Sequence, residues 1–202
     1  MPKMRYEVKT EDFPYEEITK LLHESYKEHL EAGRNYLAAT QTVEDTKRRL
    51  DGRIVGLCYN EDNKLVGTIA GKIINKHDGE PRKWYEDDHY LYVEQMAVHP
   101  DYRKTNVLAM MSITAMKDKS LREVDSWMSD TSSLATDLVE SYVKMGFQIV
   151  DMVSWETTNY YSYVFRRPLK GRKFDQKYVN RKFFFSKLIC KLRYTENGKK
   201  RF

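Results

Sequence analysis

Two segments of the chain carry side chains that are suited to proton transfer. The first, Tyr90–Arg103, has the sequence YLYVEQMAVHPDYR and holds the carboxylate of Glu94 inside a mostly apolar run. The second, Glu140–Phe147, has the sequence ESYVKMGF and holds Tyr142. A carboxylate can accept a proton during a reaction, and a tyrosine hydroxyl can donate one while its ring packs. Glu94 and Tyr142 are therefore the first candidates for acid–base chemistry.

Both segments resemble short sequence motifs, or phrases, of the GNAT superfamily of acyl-CoA-dependent N-acyltransferases. Ala97–Arg103, with the sequence AVHPDYR, is similar to the phrase in which a strand of that family leads into a pyrophosphate-binding loop and helix. Tyr142–Phe147, with the sequence YVKMGF, is similar to the phrase that closes a later helix. Two phrases in the correct order and spacing form a specific signal. The resemblance implies a single GNAT-like domain, 1–168, with acetyl-CoA as the co-substrate.

The resemblance also implies where the cofactor would bind. The pyrophosphate would lie at the N-terminus of a helix, where unpaired N–H groups and the helix dipole attract anions. The matching loop consists of Arg103, Lys104, Thr105, Asn106, Val107 and Leu108. The family usually has glycine at the positions of Asn106 and Leu108. Asparagine visits left-handed conformations more readily than most residues, whereas Leu108 departs from the pattern and adds bulk.

The same resemblance gives three parts of the chain a role in acyl transfer. The backbone of Met96, Ala97 and Val98 would bind the thioester carbonyl and stabilise the oxyanion that develops there. Glu94 would accept the proton of the attacking amine, directly or through water, and Tyr142 would protonate the departing thiolate. Each residue also has a structural interpretation. Glu94 can be an ordinary ion-pair partner of a Lys or Arg, Tyr142 can be a core side chain, and Arg103–Leu108 can be a plain loop of a non-catalytic relative.

The remaining sequence predicts the elements that must position these residues. Period-2 patterns and turn residues predict strands at Arg5–Lys9, Ile54–Tyr59, Leu65–Ile74, Tyr90–Val98, Glu123–Met128, Gln148–Trp155 and Tyr160–Arg166. Helical spacing predicts four helices, namely one from Asp12 or Pro14 to Gly33, one from Thr42 to Gly52, one with Val107, Leu108, Met111, Ile113, Thr114 and Met116 as core candidates, and Leu134–Met145. We therefore expect an α/β (α+β) fold, with a mixed, mostly antiparallel sheet and helices on both faces.

The polar segment Asn75–His89 predicts a long loop. It contains Trp84 and the acidic run Glu86–Asp88. In the family this position belongs to substrate loops, so its acids could receive a cationic amine. A solvated variable loop explains the same composition equally well.

Composition excludes several classes of protein. The chain has 202 residues, of which 41% are hydrophobic, so it is too apolar for a disordered protein. It shows no continuous apolar run of membrane-spanning length and no signal-peptide pattern at its start. Its two cysteines and five scattered histidines form no metal-ligand spacing, so no metal site is predicted. The expected compartment is the reducing cytoplasm.

The charge is distributed unevenly along the chain. Residues 166–202 hold 14 of the 35 Lys and Arg residues and 2 of the 30 acids, which leaves a net charge of −7 on the rest. The C-terminal extension, 169–202, is predicted to contain a basic amphipathic helix over Asp175–Tyr194. This helix could dock on the acidic body, within one chain or in a homo-oligomer. It could also bind an acidic protein, nucleic acid through non-specific phosphate contacts, or an anionic membrane surface. No base-reading motif indicates sequence-specific binding to nucleic acid.

Taken together, these features predict an N-acyltransferase that moves acetyl from acetyl-CoA to a primary amine of a small molecule or peptide. The amine would attack directly within a ternary complex. Two alternatives stay open, because Leu108 departs from the cofactor pattern. The chain could be a non-catalytic GNAT-like binding module, or an acyltransferase whose donor is an acyl carrier protein docked on the basic extension.

Overall fold

The computed structural model describes residues 3–75 and 89–169, together with Phe184 and Leu188. Most of the predicted Asn75–His89 loop and of the Asp175–Tyr194 helix lies outside the described residues. Phe184 and Leu188 are helical, and their exposed fractions are 66% and 50%. No helix in the described part of the chain combines the length and the apolar character that a membrane crossing requires.

Seven strands form one mixed sheet. They are β1 (Arg5–Lys9), β2 (Ile54–Tyr59), β3 (Leu65–Asn75), β4 (His89–Val98), β5 (Ser126–Ser132), β6 (Gln148–Ser154) and β7 (Tyr161–Pro168). Hydrogen-bonded neighbours follow the order β1-β2-β3-β4-β5-β7-β6. Strands β4 and β5 are parallel, whereas β1–β2, β2–β3, β5–β7 and β6–β7 are antiparallel. The predicted mixed, mostly antiparallel sheet is confirmed.

Four α-helices accompany the sheet, and local sequence explains where they begin and end. They are α1 (Tyr15–Glu31), α2 (Val43–Leu50), α3 (Val107–Ala115) and α4 (Thr136–Lys144). Thr42 and Asp45 form a capping box at the start of α2, as their spacing predicts. The bond from the Thr42 N–H holds the pKa of Asp45 below its usual range. Gly146 follows α4 with φ +85°, a left-handed conformation that glycine adopts without strain.

Two details of the predicted elements are wrong. Strand β5 runs over Ser126–Ser132 instead of Glu123–Met128, because a run rich in serine and threonine forms a buried strand in place of the expected polar boundary. Ile113 is 54% exposed, and Leu108, Thr114 and Met116 are only half-buried, so Val107 and Met111 are the predicted core residues that are buried. The buried positions of α3 are Val107, Met111 and Ala115, which lie four residues apart on one face.

The chain divides into two compact units. The first unit comprises Met1–Ile73 and Val93–Glu123, and the second comprises Ile74–Tyr92 and Val124–Phe202. The first unit has a core around α1 and β2, with Ile18, Leu22 and Leu57 fully buried. The core of the second unit contains residues from β4 to β7, namely Tyr90, Met128, Val150, Val153 and Val164, together with Ile74.

Glycine in β3 allows α3 to lie close to the sheet of the first unit. A Cβ at Gly67 would lie 2.8 Å from Met111 Sδ and 3.0 Å from Val107 Cγ1. Both distances are shorter than ordinary van der Waals contacts, so the side chains of Met111 and Val107 would have to shift to admit a larger residue at position 67.

We expect Gly67→Ala to lower the free energy of unfolding by about 1 kcal/mol, since the added methyl overpacks the contact with Met111. Urea denaturation measures this change. In a Met111→Ala background the same substitution should lower the free energy of unfolding by a smaller amount, because the shortened side chain leaves room for the methyl. Strictly additive effects of the two substitutions would contradict this packing argument.

Candidate functional site

The end of β4 contains a backbone irregularity next to the predicted carbonyl-binding segment, Met96–Val98. Gln95 has φ +52°, a left-handed value that is uncommon for a residue with a side chain. The Met96 carbonyl that follows accepts a hydrogen bond of 2.9 Å from the hydroxyl of Tyr26 on α1. Buried and half-buried residues nevertheless alternate without interruption from Tyr92 to Val98, so the irregularity is confined to the backbone around Gln95.

Buried polar side chains hold this irregularity in place. Gln95 is 4% exposed, and its amide lies 3.2 Å from that of Gln41. With the Gln95 amide oriented so that its oxygen faces the donors, this oxygen lies 2.6 Å from Arg49 Nε. Arg49 also donates to Gln41 Oε1 over 3.0 Å. Residues 41–49 thus fix an unfavourable backbone conformation in β4, which is the usual way in which such strain persists.

Glu94 is engaged by two arginines. Its Oε2 lies 3.1 Å from Arg49 Nη2, and its Oε1 pairs with Arg53. The side chain of Glu94 is 18% exposed. The structural interpretation of Glu94 as an ion-pair partner therefore describes its contacts, while its role as a general base stays a prediction.

The predicted pyrophosphate loop contains two cationic side chains. Lys104 is exposed to solvent, whereas Arg103 contacts residues of α1. Arg103 is directed toward α1, where it lies 2.5 Å from Glu28 Oε1 and donates to the Ser25 carbonyl over 2.6 Å. Lys104 is exposed and makes no ion pair with any residue in the described ranges. The backbone of Lys104 is left-handed, with φ +59°. Asn106, which tolerates that conformation better than most residues, has φ −88° instead.

The first turn of α3 leaves backbone donors available. The Val107 N–H donates to the Thr105 hydroxyl over 3.3 Å, and the Met110 N–H donates to the Asn106 carbonyl over 2.9 Å. The N–H groups of Leu108 and Ala109 have no acceptor among residues 3–75 and 89–169. This arrangement suits an anion such as a pyrophosphate, because unpaired N–H groups and the positive end of the helix dipole coincide. Leu108 is half-buried in this turn.

In the second unit, Tyr142 occupies an aromatic cluster. Its ring stacks on Phe165 at 4.8 Å between centroids and meets Phe147 edge-on at 5.4 Å. Its hydroxyl lies 3.2 Å from the Ser129 hydroxyl, and the residue is 7% exposed. Tyr142 is thus a core side chain with a polar end, and its role as an acid stays a prediction.

One further carboxylate of the second unit, that of Asp130, was not predicted from the sequence as a site residue. Asp130 lies on β5, beyond the predicted end of that strand, and accepts hydrogen bonds from the Tyr92 hydroxyl and from Trp155 Nε1, the latter over 2.9 Å. Side chains alternate between the two faces of a strand. The sequence would therefore have indicated the face on which Asp130 lies only if the predicted strand had continued through Ser129 and Thr131.

Other reactive side chains fit a structural role. Cys58 is fully buried in β2, where it packs as a small apolar group, and burial raises the pKa of its thiol. In the ranges that the structure describes, no group of three or more His, Cys, Asp or Glu residues could hold a metal ion.

Comparison with known proteins assigns the family. The model of the Acetyltransferase (GNAT) family matches residues 15–147, which is most of the chain, and the chain belongs to this family. The matched range contains both phrases from which the resemblance was drawn. None of the curated protein sequences is a significant match.

Solved structures of GNAT proteins share the fold. A PaiA N-acetyltransferase from Thermoplasma acidophilum, in complex with coenzyme A, is 12% identical with a TM-score of 0.60, over 82% of this chain and 99% of that chain. Arabidopsis thaliana NAA60, in complex with a bisubstrate analogue, is 14% identical with a TM-score of 0.57, over 83% and 100%. A GNAT-family acetyltransferase from Staphylococcus aureus is 14% identical with a TM-score of 0.57, over 82% and 100%. At these identities the likeness establishes the fold.

Proposed function

We propose that the chain is an N-acyltransferase that moves an acetyl group from acetyl-CoA to a primary amine by direct attack in a ternary complex. The observation that carries this proposal is the first turn of α3. Its Leu108 and Ala109 N–H groups lack acceptors in the described part of the chain, and the exposed, unpaired Lys104 stands beside them. Membership of the GNAT family and a fold neighbour that holds coenzyme A support the same donor.

The residues of the first unit fit a CoA pyrophosphate. Lys104 would pair with a phosphate oxygen, and the N–H groups at the start of α3 would donate to the other oxygens. The close approach of α3 to Gly67 sets the position of this turn. When bound, acetyl-CoA supplies the acyl group as a reactive thioester, and the backbone around Met96–Val98 would bind its carbonyl.

Two side chains would handle the protons of the reaction. The amine must lose a proton as it attacks, and Glu94 would accept it, directly or through water. Tyr142 would donate its hydroxyl proton to the leaving thiolate. Both roles follow from the positions of these residues in the family phrases.

Isothermal titration with acetyl-CoA and with CoA tests the donor. We expect a dissociation constant in the micromolar range and about a tenfold weakening in Lys104→Glu, because the change places a negative charge beside the phosphates. Lys117→Glu is the matched control, since Lys117 is exposed at the other end of α3 and should leave the affinity within about twofold.

Two results would overturn the CoA-dependent function. The first is the absence of binding at millimolar acetyl-CoA or CoA, which would leave the binding module or the acyl carrier protein donor as explanations. The second is equal weakening by Lys104→Glu and Lys117→Glu, which would show a general charge effect and not a phosphate contact at the start of α3.

A further inference from the structure

Asp130 is a partly exposed carboxylate whose two hydrogen-bond donors are both neutral. One oxygen accepts from the Tyr92 hydroxyl and the other from Trp155 Nε1. No Lys or Arg in the ranges 3–75 and 89–169 forms an ion pair with it. A carboxylate offers about four lone-pair positions, and these two bonds use two of them. As far as the described residues go, Asp130 therefore retains both an uncompensated negative charge and free acceptor positions.

Glu94 shows the opposite situation. Two guanidinium groups, from Arg49 and Arg53, already neutralise that carboxylate and engage both of its oxygens. A buried or half-buried charge is ordinarily matched in this way, because the loss of hydration must be offset by a partner. Within residues 3–75 and 89–169, Asp130 has no such partner, so a cationic ligand could take that place.

The surroundings of Asp130 suit the alkyl part of such a ligand. Tyr92 pairs with Met128 in the β4–β5 register, so Tyr92, Met128 and Asp130 share one face of the sheet. Tyr92 and Trp155 pack on the buried apolar cluster of the second unit, and both remain partly exposed. The two aromatic side chains beside this carboxylate offer an alkyl chain an apolar surface on which to pack.

We propose that Asp130, held by Tyr92 and Trp155, binds the protonated amino group of an alkylamine, and that this alkylamine is the acceptor once its ammonium group has released one proton to solvent. The site determines which acceptor is taken, and Glu94 and Tyr142 keep the roles given above. The identification of the ligand as the acceptor rests on the proposed function, whereas the amine site itself does not.

A titration that needs neither acetyl-CoA nor turnover tests this site. The indole N–H signal of Trp155 in proton–nitrogen correlation spectra, assigned with Trp155→Phe, reports directly on the group that contacts Asp130. We expect n-butylammonium chloride to shift this signal saturably at millimolar concentration, while 1-butanol at the same ionic strength leaves it nearly unchanged. The titration is run without CoA and again with saturating CoA.

Two variants separate recognition from a structural role. Asp130→Asn removes the charge and should weaken n-butylammonium binding at least tenfold, while Asp137→Asn makes the same chemical change at an exposed position of α4 in the same unit and should preserve binding within about threefold. Should Asp130→Asn fail to fold, the comparison of n-butylammonium with 1-butanol on the wild-type chain still decides.

Equal responses to the ammonium and the alcohol would overturn the proposal. So would an unchanged affinity in Asp130→Asn, or no saturable shift with n-butylammonium under either condition. If the CoA titration fails while the amine titration succeeds, the acyl transfer is wrong and the amine site stands. The reverse pair of results removes Asp130 and leaves the proposed function intact.

Discussion

Tyr142→Phe should lower kcat for acetyl transfer by about 10²-fold, because the variant keeps the ring and loses the hydroxyl that would protonate the thiolate. The ring contacts with Phe147 and Phe165 do not involve the hydroxyl, so the fold should be retained. Steady-state kinetics with acetyl-CoA and an alkylamine measure kcat, and isothermal titration should show a CoA affinity within about twofold of the wild type.

Tyr163→Phe is the matched control for this prediction. Tyr163 lies on β7 in the same unit, and burial raises the pKa of its hydroxyl. Deleting that hydroxyl makes the same chemical change in the same unit and should leave kcat within about twofold. Comparable losses in the two variants, or an unchanged kcat in Tyr142→Phe, would remove Tyr142 from its assigned role.

Local signals account for the parts of the fold that the sequence predicted. The capping box of Thr42 and Asp45 and the left-handed Gly146 each depend on residues within a few positions of one another. The two family phrases are equally local, and they lie within β4 and its following loop and at the end of α4. Short patterns of this kind specify element boundaries because the responsible contacts close within one turn.

Long-range contacts explain what could not be predicted at the site. Arg103 is a plausible phosphate ligand by type and position, yet it binds Glu28, which is 75 residues away in sequence. Tyr26 reaches the Met96 carbonyl across a separation of 70 residues, and Arg49 reaches Glu94 across 45. No local pattern encodes such partners, since they depend on how α1 and α2 pack beside β4.

Asp130 was missed for a different reason, which concerns the character of β5. A strand whose residues are mostly serine, threonine and aspartate lacks the apolar alternation that usually predicts one. Its polar groups are buried because β5 runs between two other strands of the sheet, so tertiary context overrides local propensity. Extending β5 to Ser132 brings Asp130 into the sheet.

Glu94→Gln should lower the free energy of unfolding by about 2 kcal/mol. The amide cannot neutralise Arg49 and Arg53, whose side chains are 26% and 17% exposed and would be left as two close positive charges. The expected loss lies between the values for a surface pair and for a fully buried one. Urea denaturation measures it, and Glu140→Gln is the control, because that acid is 69% exposed beside Lys144 and should change stability by less than about 0.5 kcal/mol.

The same variant decides whether Glu94 also accepts a proton. If it is the general base, kcat of the folded Glu94→Gln protein should fall by about 10²-fold, and the acid limb of the pH–rate profile should disappear. If its contribution is confined to Arg49 and Arg53, stability falls while kcat and the pH profile stay close to those of the wild type. A stability loss without a kinetic change would therefore mean that Glu94 serves as the ion-pair partner of Arg49 and Arg53. The proton of the amine would then have to leave through another group or through water.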